Sequence, residues 1–260
     1  MAPEVYRNDG AVNCVLLRYT QTGFLVLLPQ DNPNMVVDAI LETGYNEDFC
    51  ISPDFSPDFI SRLMQAGFLV MSSLIDEGQY VLLPKLHTIR SVLLFNHLHI
   101  KKSASRILNR YDLRFNADFD RIVDRCIAVH GADWLTPPLV DAIRTIRGGI
   151  GAEATCGAEE LCAVKSGHTH GAYPASFALY RNGELVAGEF GIIAGRVYTS
   201  YSGYYDESNA GTAQLILTTR YLQENGFSFF DLGMPLDYKT DLGAINVSDR
   251  DFVRLFRAAQ

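Results

Sequence analysis

The chain has 260 residues, 48% hydrophobic and 20% charged, with a formal net charge of −8. A chain of this length buries a core without disulfide or metal staples, and runs such as Val92–Phe95 are far too short to cross a bilayer. The start, Met1-Ala-Pro-Glu4, lacks the basic and apolar regions of a secretory signal, so a soluble, cytoplasmic protein without membrane contact is expected.

The cysteines, Cys14, Cys50, Cys126, Cys156 and Cys162, are odd in number and scattered without a CxxC pair, which speaks against a disulfide framework or a zinc site. Cys126 falls on an apolar helix face and reads as core. The acidic balance taken alone argues against nucleic acid, but its distribution does not. From Gly78 to Tyr111 there is no Asp or Glu, while Lys85, Arg90, Lys101, Lys102, Arg106 and Arg110 give +6; the remainder therefore carries −14. A basic strip on an acidic body can hold a phosphate backbone at one place only; a solvated face with ordinary charge variation is the other reading.

In chain order, residues 11–29 predict a hairpin turning at Gln21–Gly23. Ser56-Pro57 opens a short helix with Phe59, Ile60, Leu63 and Met64 on one face and Gly67 as its stop. Residues 79–100 read as strands, followed by a basic helix at about 103–110. Asp118 is expected to cap a helix that buries Phe119, Ile122, Val123, Cys126 and Ile127 and ends at Gly131. Thr136-Pro137-Pro138 starts another, closed by Gly148-Gly149. Residues 148–167 are poor in large apolar side chains and read as an inserted loop, partly helical around Glu159–Val164. Ser176–Arg181 is a strand, Asn182-Gly183 a two-residue hairpin turn, Glu184–Ile193 the return strand, and Arg196–Ser202 a third. A helix over about 208–224 and a strand over Phe227–Leu232 complete a β-β-β-α-β order. The fold expected is α+β: an N-acyltransferase (GNAT)-like domain over 79–260, with a mixed, largely antiparallel sheet and flanking helices, preceded by a small N-terminal α/β subdomain over 1–78.

Several strings, in this order, resemble the leucyl/phenylalanyl-tRNA–protein transferase family. His99-Ile-Lys-Lys-Ser103 is similar to its His-x-Ser-Arg-Ser, and Asp133-Trp134-Leu135 to its Thr-Trp-Ile. Gly183-Glu-Leu-Val-Ala-Gly188-Glu-Phe-Gly191 is similar to its Glu-Leu-Val-Gly-Gly-x-Tyr-Gly, and Asn209-Ala-Gly211 to its Asn-Ala-Ser. Asp231 stands at the Asp of its Asp-Cys-Gln, and Leu242-Gly-Ala244 with Arg250-Asp-Phe252 resembles its closing segment. The resemblance implies transfer of a Leu- or Phe-like amino acid from charged tRNA to a protein N-terminus that begins with Arg or Lys. The product is a degradation signal, and no cofactor or metal is needed. The partners implied are aminoacyl-tRNA and an acceptor protein or peptide.

The reaction is attack of an α-amine on an aminoacyl ester, so the protein must align two substrates and stabilise an oxyanion. Asp231, ending the apolar run Phe227–Phe230, is the expected catalytic carboxylate facing a cleft; capping of the turn at Gly233-Met-Pro235 is the alternative. The resemblance places Trp134 by the terminal adenosine of the tRNA, where an aromatic face can stack; a core residue at a helix start is the alternative. It places Lys101, Lys102, Arg106 and Arg110 on acceptor-stem phosphates. Tyr201, Ser202, Tyr204, Asp206, Asn209 and Gly233 are the remaining candidates for substrate contact. The chain departs from the family at Gly233 (the family has Gln), Tyr201 (Glu) and Ala178 (Glu). These departures favour a second reading, a non-catalytic protein that binds tRNA or N-termini. A third, an acyl-CoA-dependent N-acyltransferase, would need a Gly-rich pyrophosphate loop around Tyr201–Asn209, which the sequence does not show. His168-Thr-His170 offers two imidazoles without a third ligand, and Gly148-Gly-Ile-Gly151 follows a helix, so neither a metal site nor a dinucleotide fingerprint is expected.

Overall fold

The computed structural model describes residues 4–7, 14–47, 49–75, 78–148 and 171–260. Most of the expected insertion, with Cys156, Cys162, His168 and His170, lies outside the described residues.

Strands β1 (Glu4–Arg7), β2 (Cys14–Tyr19) and β3 (Leu25–Val26) form a small antiparallel sheet, with the β2–β3 turn where the sequence places it. Helix α1 (Pro33–Thr43) was not anticipated, although its ends are well marked: the Asn32 side chain accepts the Asn34 N–H, Pro33 sits in the first turn, and Gly44 closes it in the left-handed region at φ 68. Helix α2 (Pro57–Gln65) buries Phe59, Ile60, Leu63 and Met64 as expected, but Ser56 gives its hydroxyl to Asp54 instead of capping. Strands β4 (Leu69–Leu74) and β5 (Tyr80–Lys85) pair along their whole length, and β6 (Ile89–Leu93) follows. The basic segment is less helical than expected. It makes one turn, α3 (Lys102–Ser105), and a 3-10 turn at Leu108–Arg110, because Leu108 is its only fully buried side chain and no apolar stripe stabilises a longer helix.

After β7 (Asp112–Phe115) come α4 (Phe119–His130) and α5 (Pro137–Gly148), both near the expected bounds. Asp118 does not cap α4: it adopts φ 50, and its carboxylate accepts the Tyr180 hydroxyl instead. The meander β8 (Tyr173–Arg181), β9 (Glu184–Ala194) and β10 (Val197–Tyr205) then leads through α6 (Ala210–Glu224) to β11 (Phe229–Gly233). Asn182 and Gly183 both take positive φ, 52° and 85°, as the two-residue turn requires. Helix α7 (Asp237–Asp241), β12 (Ile245–Ser248) and α8 (Asp249–Ala258) end the chain.

The central sheet has seven strands in the order β12-β6-β11-β10-β9-β8-β7. Only β10 and β11 are parallel, joined through α6. The fold is thus mixed α/β, with a mixed, mainly antiparallel sheet between helices. Successive side chains point to opposite faces, which separates two cores. Val197, Phe229, Phe190 and Ile192 join residues of α1, α2, α4, α5 and α8 on one face; Tyr198, Phe230, Phe177 and Ile193 join those of α6 on the other.

The boundary expected after residue 78 falls inside the β4–β5 hairpin. The first core draws on both sides of it, from Leu17 and Phe59 to Phe190 and Phe256. Val70 N–H is bonded to the Tyr201 hydroxyl at 3.0 Å, and Ser72 N–H to the Trp134 carbonyl at 2.9 Å. Among the described residues no helix is long and apolar enough to cross a membrane.

Candidate active site

The sequence points first to Asp231, and the fold buries it. Its carboxylate accepts Arg90 Nε at 2.9 Å, Arg90 Nη2 at 2.6 Å, the Thr199 hydroxyl at 2.9 Å and the Gly233 N–H at 3.0 Å. Asp231 and Arg90 are 0% and 1% exposed, and the guanidinium lies 4.4 Å from the Phe252 ring centre. Burial alone would raise the carboxyl pKa, but the Arg90 charge and these hydrogen bonds outweigh it and hold the group below its ordinary value. The expectation that Asp231 faces a cleft is therefore corrected. Phe230 and Leu232 point towards α6, so Asp231 between them must point the other way, under α8. The alternative reading, a turn cap, describes part of its bonding: Gly233, at φ 73, turns its N–H back onto the carboxylate.

A different carboxylate occupies the α6 face. Glu189 interrupts the otherwise uncharged interior of β9 and is 3% exposed. One oxygen accepts the Ser200 hydroxyl at 3.0 Å, while Oε1 has no hydrogen-bond partner. Burial pushes its pKa up to about 7, against the lowering influence of the Ser200 and Thr218 hydroxyls. Gln214 of α6 spends its NH2 on the Phe177 carbonyl at 3.2 Å and the Thr218 hydroxyl at 3.1 Å, which leaves its own Oε1 unpartnered. Glu189 and Gln214 line one cavity of about 540 Å³, walled further by Ser200, Tyr204, Asn209, Thr212 and Tyr238. The first turn of α6, which receives no side-chain cap from Asn209, opens on it. A second hollow of about 200 Å³ shares Asn209, Thr212 and Tyr238 with the first and runs on to His99, Lys101 and Ser103. The cavity with the acidic floor thus adjoins a hollow at the basic segment, whose one lining lysine, Lys101, is paired with Asp241. The larger, more open hollow near α1, about 710 Å³, has its cations Arg62 and Arg257 already tied to Asp58 and Asp38.

Of the candidates from sequence, Tyr204 and Asn209 line the main cavity and Lys101 the second hollow. Lys101 is paired with Asp241 at 2.6 Å; Lys102, Arg106 and Arg110 are exposed near it in sequence. Arg90 leaves the basic strip altogether, being spent on Asp231. Trp134 is half-buried against the first core and does not line the cleft; Tyr201 turns its hydroxyl to Val70 on the opposite face. Asp206 is paired with Arg125 at the surface, and Ser202 and Gly233 are not among the cavity walls. Sequence reasoning missed Glu189, Ser200, Gln214 and Tyr238. The usable signal was a lone acid inside an apolar strand, a costly placement unless it is used.

This arrangement, the first turn of a crossover helix set beside a buried acid in the middle of the antiparallel strand β9, surrounds a cavity rather than a flat face. The family of leucyl/phenylalanyl-tRNA protein transferases matches residues 162–257. The chain is 30% identical over 168 residues to a leucyl/phenylalanyl-tRNA–protein transferase of Pseudomonas putida, covering 63% of this chain and 65% of that relative. It is 30% identical over 173 residues to one of Pseudomonas fluorescens, covering 65% and 67%, and 22% identical over 209 residues to one of Campylobacter jejuni, covering 79% and 86%. The chain belongs to the leucyl/phenylalanyl-tRNA–protein transferase family. Its match to the P. putida relative spans just under two thirds of that protein's length. Among solved structures, FemX aligns with a TM-score of 0.40 at 9% identity over 96% of this chain and 89% of that one, and L-PGS from Bacillus licheniformis with 0.36 at 12% over 90% and 69%. Likenesses this distant say nothing of function.

Proposed function

We propose that the protein is a cytoplasmic aminoacyl-tRNA–protein transferase with an N-acyltransferase-like core, and that its site is the cleft between β9, β10 and α6. The observation that carries this reading is that two adjoining hollows share Asn209, Thr212 and Tyr238, one floored by buried polar groups and the other beside the basic segment, in a chain of the transferase family. The tRNA acceptor end would lie along Lys101, Lys102, Arg106 and Arg110, where charge rather than geometry holds phosphate. Its esterified terminus would enter past Tyr238 and Asn209.

The acceptor α-amine attacks the ester carbonyl carbon. The C–N bond forms, the C–O bond to the ribose breaks, and the amine proton ends on the ribose oxygen. An α-amine titrates near ~8, so a useful fraction is already neutral at cytoplasmic pH and no strong base is needed. What the chain supplies is alignment, together with the amide dipoles at the start of α6, which favour charge developing on the carbonyl oxygen. Asp231 serves as a positioning residue: with Arg90 and Thr199 it fixes β6, β10 and β11, the strand set beneath the cleft.

The test is to incubate the protein with a total aminoacyl-tRNA pool and peptides of varied N-terminus and to read products by mass. Peptides longer by one residue are expected. Retention of tRNA with no extended peptide would instead favour the non-catalytic reading, to which the departures at Tyr201 and Gly233 point.

A further inference from the structure

We infer that Tyr238 is the platform on which the terminal base of the aminoacyl-tRNA stacks. The inference rests on the transferase reading for the identity of the nucleic acid. Along a charged tRNA end the parts follow a fixed order: the amino acid, the terminal ribose with its base, then the phosphates of the preceding nucleotides. The main cavity, the wall it shares with the second hollow, and the second hollow beside the basic segment can receive them in that order. The shared wall is made by Asn209, Thr212 and Tyr238, of which Tyr238 alone is aromatic. Tyr204 and Tyr205 line only the main cavity, and His99 only the hollow that holds Lys101. Tyr204 is 3% exposed, whereas Tyr238 is 55% exposed and has ring surface to offer. Trp134, which the family resemblance places by the terminal adenosine, lines neither hollow.

The ring is held in place before any ligand arrives. Helix α7, five residues long, is too short to stand alone. Lys239 is buried and ties it to the end of β11, giving its ammonium to the Leu232 carbonyl at 2.5 Å and the Met234 carbonyl at 2.8 Å. That ammonium lies 5.7 Å from the centre of the Tyr238 ring. At the end of the same helix Asp241 pairs with Lys101 at 2.6 Å, and the Leu242 carbonyl accepts the His99 N–H at 2.8 Å. One short element therefore carries the ring and anchors the start of the basic segment. A ring fixed in this way loses little freedom on stacking and keeps more of the stacking energy as affinity.

The experiment measures, by calorimetry, binding of two RNA trinucleotides: CCA carrying phenylalanine in amide linkage at its 3′ position, and the same molecule without its terminal base. Wild-type, Tyr238→Phe, Tyr238→Ala, Tyr205→Ala and Trp134→Leu proteins are compared, each checked for folding by its melting transition. Wild-type protein should bind the base-bearing form about tenfold tighter than the baseless one. Tyr238→Phe, Tyr205→Ala and Trp134→Leu should keep that preference, and Tyr238→Ala should abolish it by weakening the base-bearing form alone. A preference that survives Tyr238→Ala, or that Trp134→Leu or Tyr205→Ala removes instead, overturns the inference. So does failure of wild-type protein to bind either trinucleotide. Coenzyme A, which also carries an adenine, is the third ligand; Tyr238-dependent binding of coenzyme A without binding of the trinucleotides overturns the assignment to tRNA. The peptide-extension assay judges the transferase reading separately. A Tyr238-dependent preference with no extended peptide leaves the platform standing without the transfer, and extended peptide with the preference intact in Tyr238→Ala does the reverse.

Discussion

Glu189 and Asp231 are two carboxylates buried in the same sheet, and their surroundings drive them in opposite directions. Glu189 has burial without a cation on its free oxygen, so its folded pKa, about 7, lies above its ordinary value of 4.5. Stability from this group is fully present below the unfolded pKa and is lost as pH rises through about 7. Glu189→Gln should therefore be more stable than wild type at pH ~8, by on the order of 3 kcal/mol, with the difference vanishing towards pH ~4.5; urea midpoints at the two pH values measure it. Asp231 behaves in the opposite sense. Arg90 and its hydrogen bonds hold its folded pKa below the ordinary 3.8, so its contribution is present above that value and is lost as pH falls through the folded pKa. Asp231→Asn removes the anion and leaves Arg90 buried without its charge partner, a loss of about 3–5 kcal/mol near neutral pH. An Asp231→Asn protein as stable as wild type would mean that the pair does not hold the strands together.

At the scale of elements, the site depends on a register detail of β10. Ser200 pairs with Gly191 and Ser202 with Phe190, so Tyr201 is the extra residue of a bulge. Bulges of this kind re-aim side chains beside functional sites. Here Ser200 faces Glu189, while Tyr201 goes to the other core and bonds Val70. The basic segment is the second such element. Reversing Lys102, Arg106 and Arg110 to Glu one at a time should each lower the salt dependence of tRNA binding by about one counterion. Reversal of the exposed Arg254 on α8 should leave it unchanged, and filter binding across a salt series reads both. The meander, the Asn182-Gly183 turn and the helix after it were legible in the sequence because their signals are local. Strands β7 and β12 were not, since four-residue strands at sheet edges carry little pattern of their own. Helix α1 was missed although Asn32, Pro33 and Gly44 bracket it, which reflects a signal overlooked rather than one absent.

At the scale of the molecule, sheet alternation decides which acid can meet a substrate. Knowing that Asp231 ends an apolar strand does not say which face it takes. That follows only once β6 supplies Arg90 from 141 residues away and α8 supplies Phe252. The same long-range pairing removes one charge from the basic strip that a count along the sequence includes. Conversely, Glu189 and Gln214 are 25 positions apart, and nothing local links them until α6 packs across β9. The family resemblance covered the right strings, including the one that contains Glu189, but the chemistry of the floor emerged only from the partners each atom has or lacks.

The central claim is that the aminoacyl end sits on the α6 face of the sheet. The most direct measurement is the location of a bound 3′-aminoacylamido-adenosine, by crystallography or by amide chemical-shift changes. The account predicts contacts or shifts at Glu189, Ser200, Asn209, Thr212, Gln214 and Tyr238, running out to Lys101. Binding centred instead on Trp134, Tyr201 or the Arg90–Asp231 pair, with the α6 face undisturbed, would contradict it.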